Sequence, residues 1–284
     1  MHIFREIEPL KAHLHQQHLS HCTIGLVPTM GALHPGHLGL VRASNRENNV
    51  TICSIFVNPT QFNNPADLDN YPRTLERDFD LLQEALCDVV FCPSIQEMYP
   101  QASQVKFDLG RLDKIMEGEF RPGHFSGVAL VVSKLFNIVK PDAAYFGQKD
   151  YQQFKIISRL VHELKFDLKL VCIPIVREAD GLAMSSRNLR LNKDERMRAT
   201  VLFQCLQRSR EGLLQSKPFS VLKDEACTLC EKNDIKLEYL VLADRENLTL
   251  SGNDTNVGDC ILLIAAYVGE VRLIDNIFIT EIVN

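Results

Sequence analysis

The sequence predicts a doubly wound parallel α/β domain over residues 1–175 and a smaller α+β domain over residues 176–284. Three observations predict it. From Thr23 to Pro174, short β-branched runs alternate with helix-period segments, the pattern of β-α-β units with helices on both faces of a parallel sheet. After Asn192 the order changes to two helical stretches and then consecutive strand-like runs, which suits helices packed on an antiparallel sheet. At 284 residues and 45% hydrophobic content, the chain exceeds one typical domain and can bury a substantial core.

In chain order, the strands of the first half are Thr23 to Val27, Val50 to Val57, Val89 to Cys92, Ala143 to Phe146 and Leu168 to Ile173. Helical segments lie between them at His37 to Arg46, Arg73 to Leu86, Ser126 to Val139 and Tyr151 to Leu164. In the last of these Phe154, Ile157, Leu160, Val161 and Leu164 recur at helical spacing. Ahead of the first strand, His13, His15, His18 and His21 include steps of three that would permit chelation, but a solvated peripheral helix is the better reading. The second half carries helices at Lys193 to Gln215 and Ser220 to Asn233, then strands at Lys236 to Leu242, Cys260 to Val268 and Leu273 to Ile279. Cys227 and Cys230 form a lone C-x-x-C in phase with Leu222, Ala226 and Leu229, which favours core packing over zinc or redox work.

Composition narrows the function. A formal charge of -5, without any run of Lys and Arg, argues against a nucleic-acid-binding role and for a small-molecule enzyme. The N-terminal residues are charged throughout and lack the apolar core of a signal peptide. The longest apolar run, Cys260 to Val268, is about half of what spans a bilayer. Nine scattered cysteines read as reduced thiols, so a cytoplasmic location without membrane association is expected.

Chemistry concentrates first in "VPTMGALHPGHLGLV", Val27 to Val41, at the end of the first strand. Pro35 pushes His34 out of helical conformation and suits the first helical position, which places His37 in the first turn. Free backbone N–H groups and the positive end of the helix dipole then face both imidazoles, an arrangement suited to an anion. Spacing alone leaves a metal pair, two inert turn histidines and a phosphate site open; the separation of three, the proline and the lack of adjoining Cys or Asp count against zinc. The segment lacks the endings of a P-loop and of a dinucleotide fingerprint. It resembles the H-x-G-H signature of Rossmann-like adenylyl-transferring enzymes. Two further loops suit phosphate: "GQKD", where Gly147 would admit a nucleotide and Lys149 would supply a point charge, and "MSSR", Met184 to Arg187, which resembles the mobile K-M-S-K-S loop of the same enzymes.

Taken together, "VPTMGALHPGHLGLV", "SIFVNPTQFNNPADLDNYPRTLERD", "FRPGHFSGVALVVSKLFNIVKPDAAYFGQKDYQQ" and "VREADGLAMSSRNLRL" resemble, in order, segments of the pantothenate synthetase (pantoate-beta-alanine ligase) family over residues 23–192. One departure is Gln148, where that family often has Glu. The resemblance implies a Rossmann-like nucleotidyltransferase fold of the H-x-G-H type. It also implies condensation of (R)-pantoate with beta-alanine using ATP and magnesium, through a pantoyl adenylate, with release of AMP and pyrophosphate. Carried over by motif, Met30, Gly31, Ala32, Leu33, His34, Pro35, Gly36 and His37 contact ATP, with His37 as proton donor. Gly147, Gln148, Lys149, Asp150, Val176, Met184, Ser185, Ser186 and Arg187 complete the nucleotide site, and His34, Lys149, Ser185 and Arg187 join His37 in catalysis. Gln61 and Gln153 contact pantoate, Gln61 also at the beta-alanine position; Asn58 and Tyr71 are weaker candidates there. Asp78 and Asp150 could face magnesium, though spacing assigns no metal ligand. His124 is given a structural or dimer-side role, a homodimer is expected, and the C-terminal domain is expected to act as a lid that keeps water from the adenylate. The runner-up is another nucleotidyltransferase with the same H-x-G-H chemistry, against which the contexts of Gln61 and Gln153 count.

Overall fold

The computed structural model describes residues 1–250 and 257–280. The chain forms two compact units, Met1–Gln148 with Gln152–Pro174, and Lys149–Tyr151 with the chain from Ile175 onward.

The first unit contains β1 (His2–Phe4), α1 (Ile7–Leu19), β2 (Ile24–Thr29), α2 (Pro35–Glu47), β3 (Val50–Ile55), α3 (Pro65–Asp69), α4 (Leu75–Glu84), β4 (Val89–Phe91), α5 (Ile95–Met98), α6 (Glu117–Phe120), α7 (His124–Val139), β5 (Ala143–Gly147), α8 (Tyr151–Leu164) and β6 (Lys169–Ile173). The strands form one parallel sheet in the order β1-β4-β3-β2-β5-β6. From β2 the chain progresses outward through β3 and β4, then returns to β2's other side with β5 and β6. The direction of winding therefore reverses between β2 and β5, and in such sheets ligands lie beyond the carboxyl ends of the strands at that point. Burial on both faces explains why β3 is buried at every position and reads as a continuous run rather than an alternation. On α2, Leu38, Val41 and Ala43 join Val27, Cys53 and Tyr145 in one apolar core.

One feature of this unit departs from expectation, the strand β1, while α1 is the peripheral helix expected. Strand β1 adds a sixth member by pairing His2, Ile3 and Phe4 with Val89, Val90 and Phe91. Three residues are too few to display alternation. Helix α1 buries only Leu10 and Leu14, and His13 packs its ring against His2 at 5.0 Å and Phe4 at 5.2 Å, while His15 is exposed.

The second unit contains α9 (Lys193–Arg198), α10 (Val201–Leu214), α11 (Phe219–Lys232), β7 (Ile235–Asp244), β8 (Cys260–Val268) and β9 (Val271–Phe278). Its strands form an antiparallel sheet in the order β7-β8-β9. Leu202, Leu206, Leu222, Leu240, Leu262 and Ile264 share its core. The expected single helix over Lys193–Gln215 is broken at Ala199–Thr200, where the Thr200 hydroxyl donates to the Met197 carbonyl at 2.8 Å; such local bonds compete with helix continuation. Cys230 is fully buried with its sulfur 3.8 Å from that of Cys205, so one half of the C-x-x-C is core.

Candidate active site

Strand β2 delivers the chain into a turn at Met30–His34 that two left-handed residues make possible, Gly31 at φ 80° and Ala32 at φ 48°. Buried Asp78 holds the turn from behind. Its Oδ2 accepts the Ala32 N–H at 2.9 Å, and its Oδ1 accepts the Leu33 N–H at 2.8 Å and the Thr74 hydroxyl at 3.1 Å. A Cβ on Gly31 would stand 3.0 Å from Asp78 Oδ2, so the glycine serves both the backbone angle and the close approach. Both carboxylate oxygens of Asp78 thus accept hydrogen bonds from the turn.

His34 is the N-cap of α2, in extended conformation, and its Nδ1 accepts the Gly36 N–H at 3.2 Å. An acceptor at Nδ1 carries no proton, so the neutral ring bears its hydrogen on Nε2, a tautomer inferred from the hydrogen bond. Its centroid lies 4.0 Å from that of His37 in the first helical turn. Both imidazoles therefore sit at a helix start, where unpaired N–H groups and the dipole attract negative charge.

A second group of side chains follows β3. Asn58 is 1% exposed and caps a 3₁₀ turn at Pro59–Gln61. Its Oδ1 accepts the Thr60 N–H at 3.4 Å, the Thr60 hydroxyl at 3.0 Å and the Tyr99 hydroxyl at 2.9 Å; its Nδ2 donates to the Gly127 carbonyl at 3.2 Å and to Gln61 Oε1 at 3.1 Å. Because an N–H can only donate and a carbonyl only accept, Thr60 and Gly127 fix which way the Asn58 amide points. That orientation passes to Gln61, whose oxygen is taken and whose Nε2 is left as the donor end, 3.1 Å from Met30 Sδ. Burial pushes the Tyr99 phenol above its ordinary value, keeping it neutral in this network. His124, also buried, places Nδ1 at 2.7 Å from the Gln61 carbonyl and Nε2 at 3.1 Å from Arg121 Nη1. The guanidinium only donates, so His124 Nε2 accepts and Nδ1–H donates to Gln61, a structural role. Helix α7 approaches this turn so closely that a Cβ on Gly127 would be 2.2 Å from the Thr60 carbonyl oxygen.

Of the two glutamines on α8, Gln152 is buried and fully engaged. It donates to the carbonyls of Leu112 and Ile115, both at 2.8 Å, and accepts the Glu117 N–H at 3.0 Å. Gln153 is half-buried, and its amide is not tied to any described residue. Tyr71 is buried edge-to-face against Phe62 at 5.7 Å. At the end of β5 a Cβ on Gly147 would meet nothing within 4 Å, so packing does not require a glycine there, and the next residue, Gln148, is buried. The first unit accordingly brings Met30 to His37 and Gln61 together.

The second unit collects the remaining candidates. Lys149 Nζ lies 3.9 Å from the half-exposed Asp150 carboxylate, and the Lys149 carbonyl accepts from Asn276 Nδ2 at 3.0 Å. Val176 and Met184 close a hairpin through the Met184 N–H to the Val176 carbonyl at 3.0 Å, with Gly181 at φ 92° in its turn. Ser185 then accepts the Arg187 N–H at 3.2 Å and starts a 3₁₀ turn at Ser186–Arg190. Within the hairpin, Arg177 grips buried Asp275 with two bonds, at 2.6 and 2.9 Å, and its guanidinium carbon lies 3.9 Å from the Phe203 ring centroid. Burial pushes the Asp275 carboxyl up, against the opposing pull of Arg177. Arg177, Asp275 and Asn276 were not expected from sequence; the available signal was a pair of polar residues, Asp275 and Asn276, inside the apolar run "LIDNIFI". Among the described residues no cluster of three or more His, Cys, Asp or Glu is arranged to hold a metal, and no helix is long and apolar enough to cross a membrane.

This geometry has close parallels among known proteins. A family model described as pantoate-beta-alanine ligase matches residues 2–278. The pantothenate synthetase of Thermosipho africanus is 46% identical over 282 residues, covering 98% of this chain and 100% of that one. The crystal structure of pantothenate synthetase from Thermus thermophilus matches with a TM-score of 0.92 at 40% identity, covering 99% of this chain and 100% of that one. That of the pantoate-beta-alanine ligase from Francisella tularensis, complexed with beta-gamma ATP and beta-alanine, matches at 0.82 and 35% over 98% of each chain. Since the likeness in sequence and fold runs nearly end to end, the chain belongs to the pantoate-beta-alanine ligase family of enzymes.

Proposed function

We propose that the chain joins (R)-pantoate to beta-alanine in two steps through a pantoyl adenylate, consuming ATP and releasing AMP and pyrophosphate. The observation that carries this reading is the contact between two loops of the first unit, where the donor end of Gln61 reaches Met30 at 3.1 Å. An amide aimed to receive a carboxylic acid thereby adjoins the turn that leads to two imidazoles at a helix start. The Francisella tularensis relative, complexed with beta-gamma ATP and beta-alanine, supports those two ligands here.

The chemistry follows from charge. A carboxylate is a poor acylating agent, so its oxygen first bonds to the α-phosphorus while the bond to the bridging oxygen breaks and pyrophosphate leaves with the electron pair. The neutral amine of beta-alanine then attacks the acyl carbon, AMP departs with its oxygen, and the nitrogen sheds its extra proton to give the amide. In this reading Gln61 and Gln153 hold pantoate by neutral amides, which orient a carboxylate without the nearby cation that would weaken it as a nucleophile. Met30 to His37, Gly147 to Asp150, Val176 and Met184 to Arg187 bind ATP. His34 donates from Nε2, and His37 acts as proton donor, as negative charge grows on the phosphates. Lys149, Ser185 and Arg187 hold the departing pyrophosphate. Magnesium fits as an ion carried on the ATP phosphates, because the described residues build no cage of their own and Asp150 offers one half-exposed carboxylate. When bound, it would neutralise part of the phosphate charge.

The test is ATP–pyrophosphate exchange across a panel of carboxylic acids. Exchange that requires pantoate but not beta-alanine is expected, and absence of exchange with pantoate would overturn the reading. His37→Ala should slow that exchange by about a hundred- to a thousandfold while the protein stays folded by circular dichroism. A wild-type rate in this variant would reduce His37 to a turn residue.

A further inference from the structure

Strand β9 connects two of the segments that the proposed function assigns to ATP, although none of its own residues is among them. Asn276 is 1% exposed and uses both of its ends. Its side chain donates to the Lys149 carbonyl at 3.0 Å, and its own carbonyl accepts from Arg177 Nη2 at 3.1 Å. Its N–H turns back to Asp275 Oδ1 at 2.7 Å, which steadies the carboxylate that Arg177 grips. Arg177 sends a further bond to the Gly181 carbonyl at 3.0 Å, inside the hairpin that leads to Met184–Arg187.

The hairpin does not need this support to close. It has backbone bonds of its own, from the Met184 N–H to Val176, the Glu178 N–H to Leu182 and the Gly181 N–H to Glu178. Arg196 ties Glu178 and Asp180 from outside at 2.7 and 2.8 Å. An apolar pair of similar volume would also bury well where Arg177 and Asp275 stand, since replacing a buried ion pair in that way is often neutral or stabilising. What an apolar pair lacks is direction. Two fixed bonds to one carboxylate, with a third to the neighbouring carbonyl, set where the hairpin lies along β9. Asn276 sets where Lys149 lies along the same two residues.

We propose that Asn276 and Asp275 are positioning residues that hold Lys149 and the Met184–Arg187 loop in register with each other, through bonds to the Lys149 carbonyl and to Arg177. The inference rests on the reading that these two segments bind ATP phosphates. Groups that must meet one polyphosphate have to be spaced to within a fraction of an ångström, and displacements of about 1 Å can cost roughly a hundredfold in rate. A single strand that grips both segments provides that spacing.

The experiment separates the two half-reactions in the full-length enzyme. Asn276→Ala should lower kcat/KM for ATP in pantoate-dependent pyrophosphate exchange by about 10- to 100-fold, the loss that a displacement of up to about 1 Å brings. KM for pantoate should change little. The same variant, given chemically prepared pantoyl adenylate and beta-alanine, should form pantothenate at close to the wild-type rate, since that step needs no grip on pyrophosphate. Asn276→Asp, nearly the same size but with an acceptor toward the Lys149 carbonyl, should behave alike and serves if the alanine variant folds poorly. Asp275→Asn should show the same split. Equal losses in both half-reactions, or no loss in exchange, would overturn the proposal while leaving the proposed function standing. Absence of pantoate-dependent exchange in the wild-type enzyme would overturn both.

Discussion

Truncating Asp78 to alanine would show how far the turn before α2 depends on one carboxylate. The change removes the carboxylate that accepts the buried amides of Ala32 and Leu33 at 2.9 and 2.8 Å. Each lost bond to a buried amide costs about 1–3 kcal/mol. In the other direction, the released turn lets Ala32 abandon its left-handed φ of 48°, recovering about 1–2 kcal/mol. The midpoints of these ranges leave a net loss of about 2.5 kcal/mol, which for a chain of this size lowers the melting temperature by roughly 5–10 °C. Thermal unfolding followed by circular dichroism reads that loss. Initial-rate kinetics read the second consequence, because His34 and His37 are placed by the same turn: kcat/KM for ATP should fall about 10- to 100-fold. Pantoate KM should move less, since Gln61 is held separately through Asn58 and His124. Asp78→Asn keeps the volume and one accepting oxygen, and its losses should be intermediate. The reasoning fails if Asp78→Ala melts within about 1 °C of wild type. It also fails if the activity lost in Asp78→Asn returns with excess magnesium, which would make the carboxylate a metal ligand in the reaction.

Two other outcomes test neighbouring parts of the structure. Gly127→Ala would bring a Cβ to 2.2 Å from the Thr60 carbonyl oxygen and force α7 away from the Asn58–Gln61 turn. Pantoate KM should rise about tenfold or more, with a smaller change for ATP; the reverse order in steady-state kinetics would detach this turn from the acid site. Asp180 is held below its ordinary carboxylate value, chiefly by its bond to Arg196. A carboxyl lowered in the folded state contributes stability that is complete above the ordinary Asp value and is lost as pH falls through the lowered one. The Leu182 amide, which donates to Asp180 Oδ1 at 3.3 Å, should therefore lose hydrogen-exchange protection in that acidic window, beyond the change seen in Asp180→Asn.

The residues that were readable from the sequence share one property, and those that were not share its opposite. In the proposed reading, "HPGH", "GQKD" and "MSSR" are contiguous because one loop can offer several backbone and side-chain groups to one ligand at once, so residue types suited to phosphate cluster along the chain. The parallel sheet was readable for a similar reason, since each β-α unit announces itself over some tens of residues, whereas the three residues of β1 carry no pattern. The supports behave otherwise. Asp78 acts on amides 46 and 45 residues away, Arg177 on a carboxylate 98 away and Asn276 on a carbonyl 127 away. No spacing rule joins such partners, because what makes them neighbours is the stacking of strands and helices. The trace they leave is local misfit: a buried Asp on the first turn of α4, and an Asp-Asn pair in the middle of an apolar strand. Burying these groups is tolerable only with their bonds made, so each of these three polar residues at a core position marks a place where something else is being held.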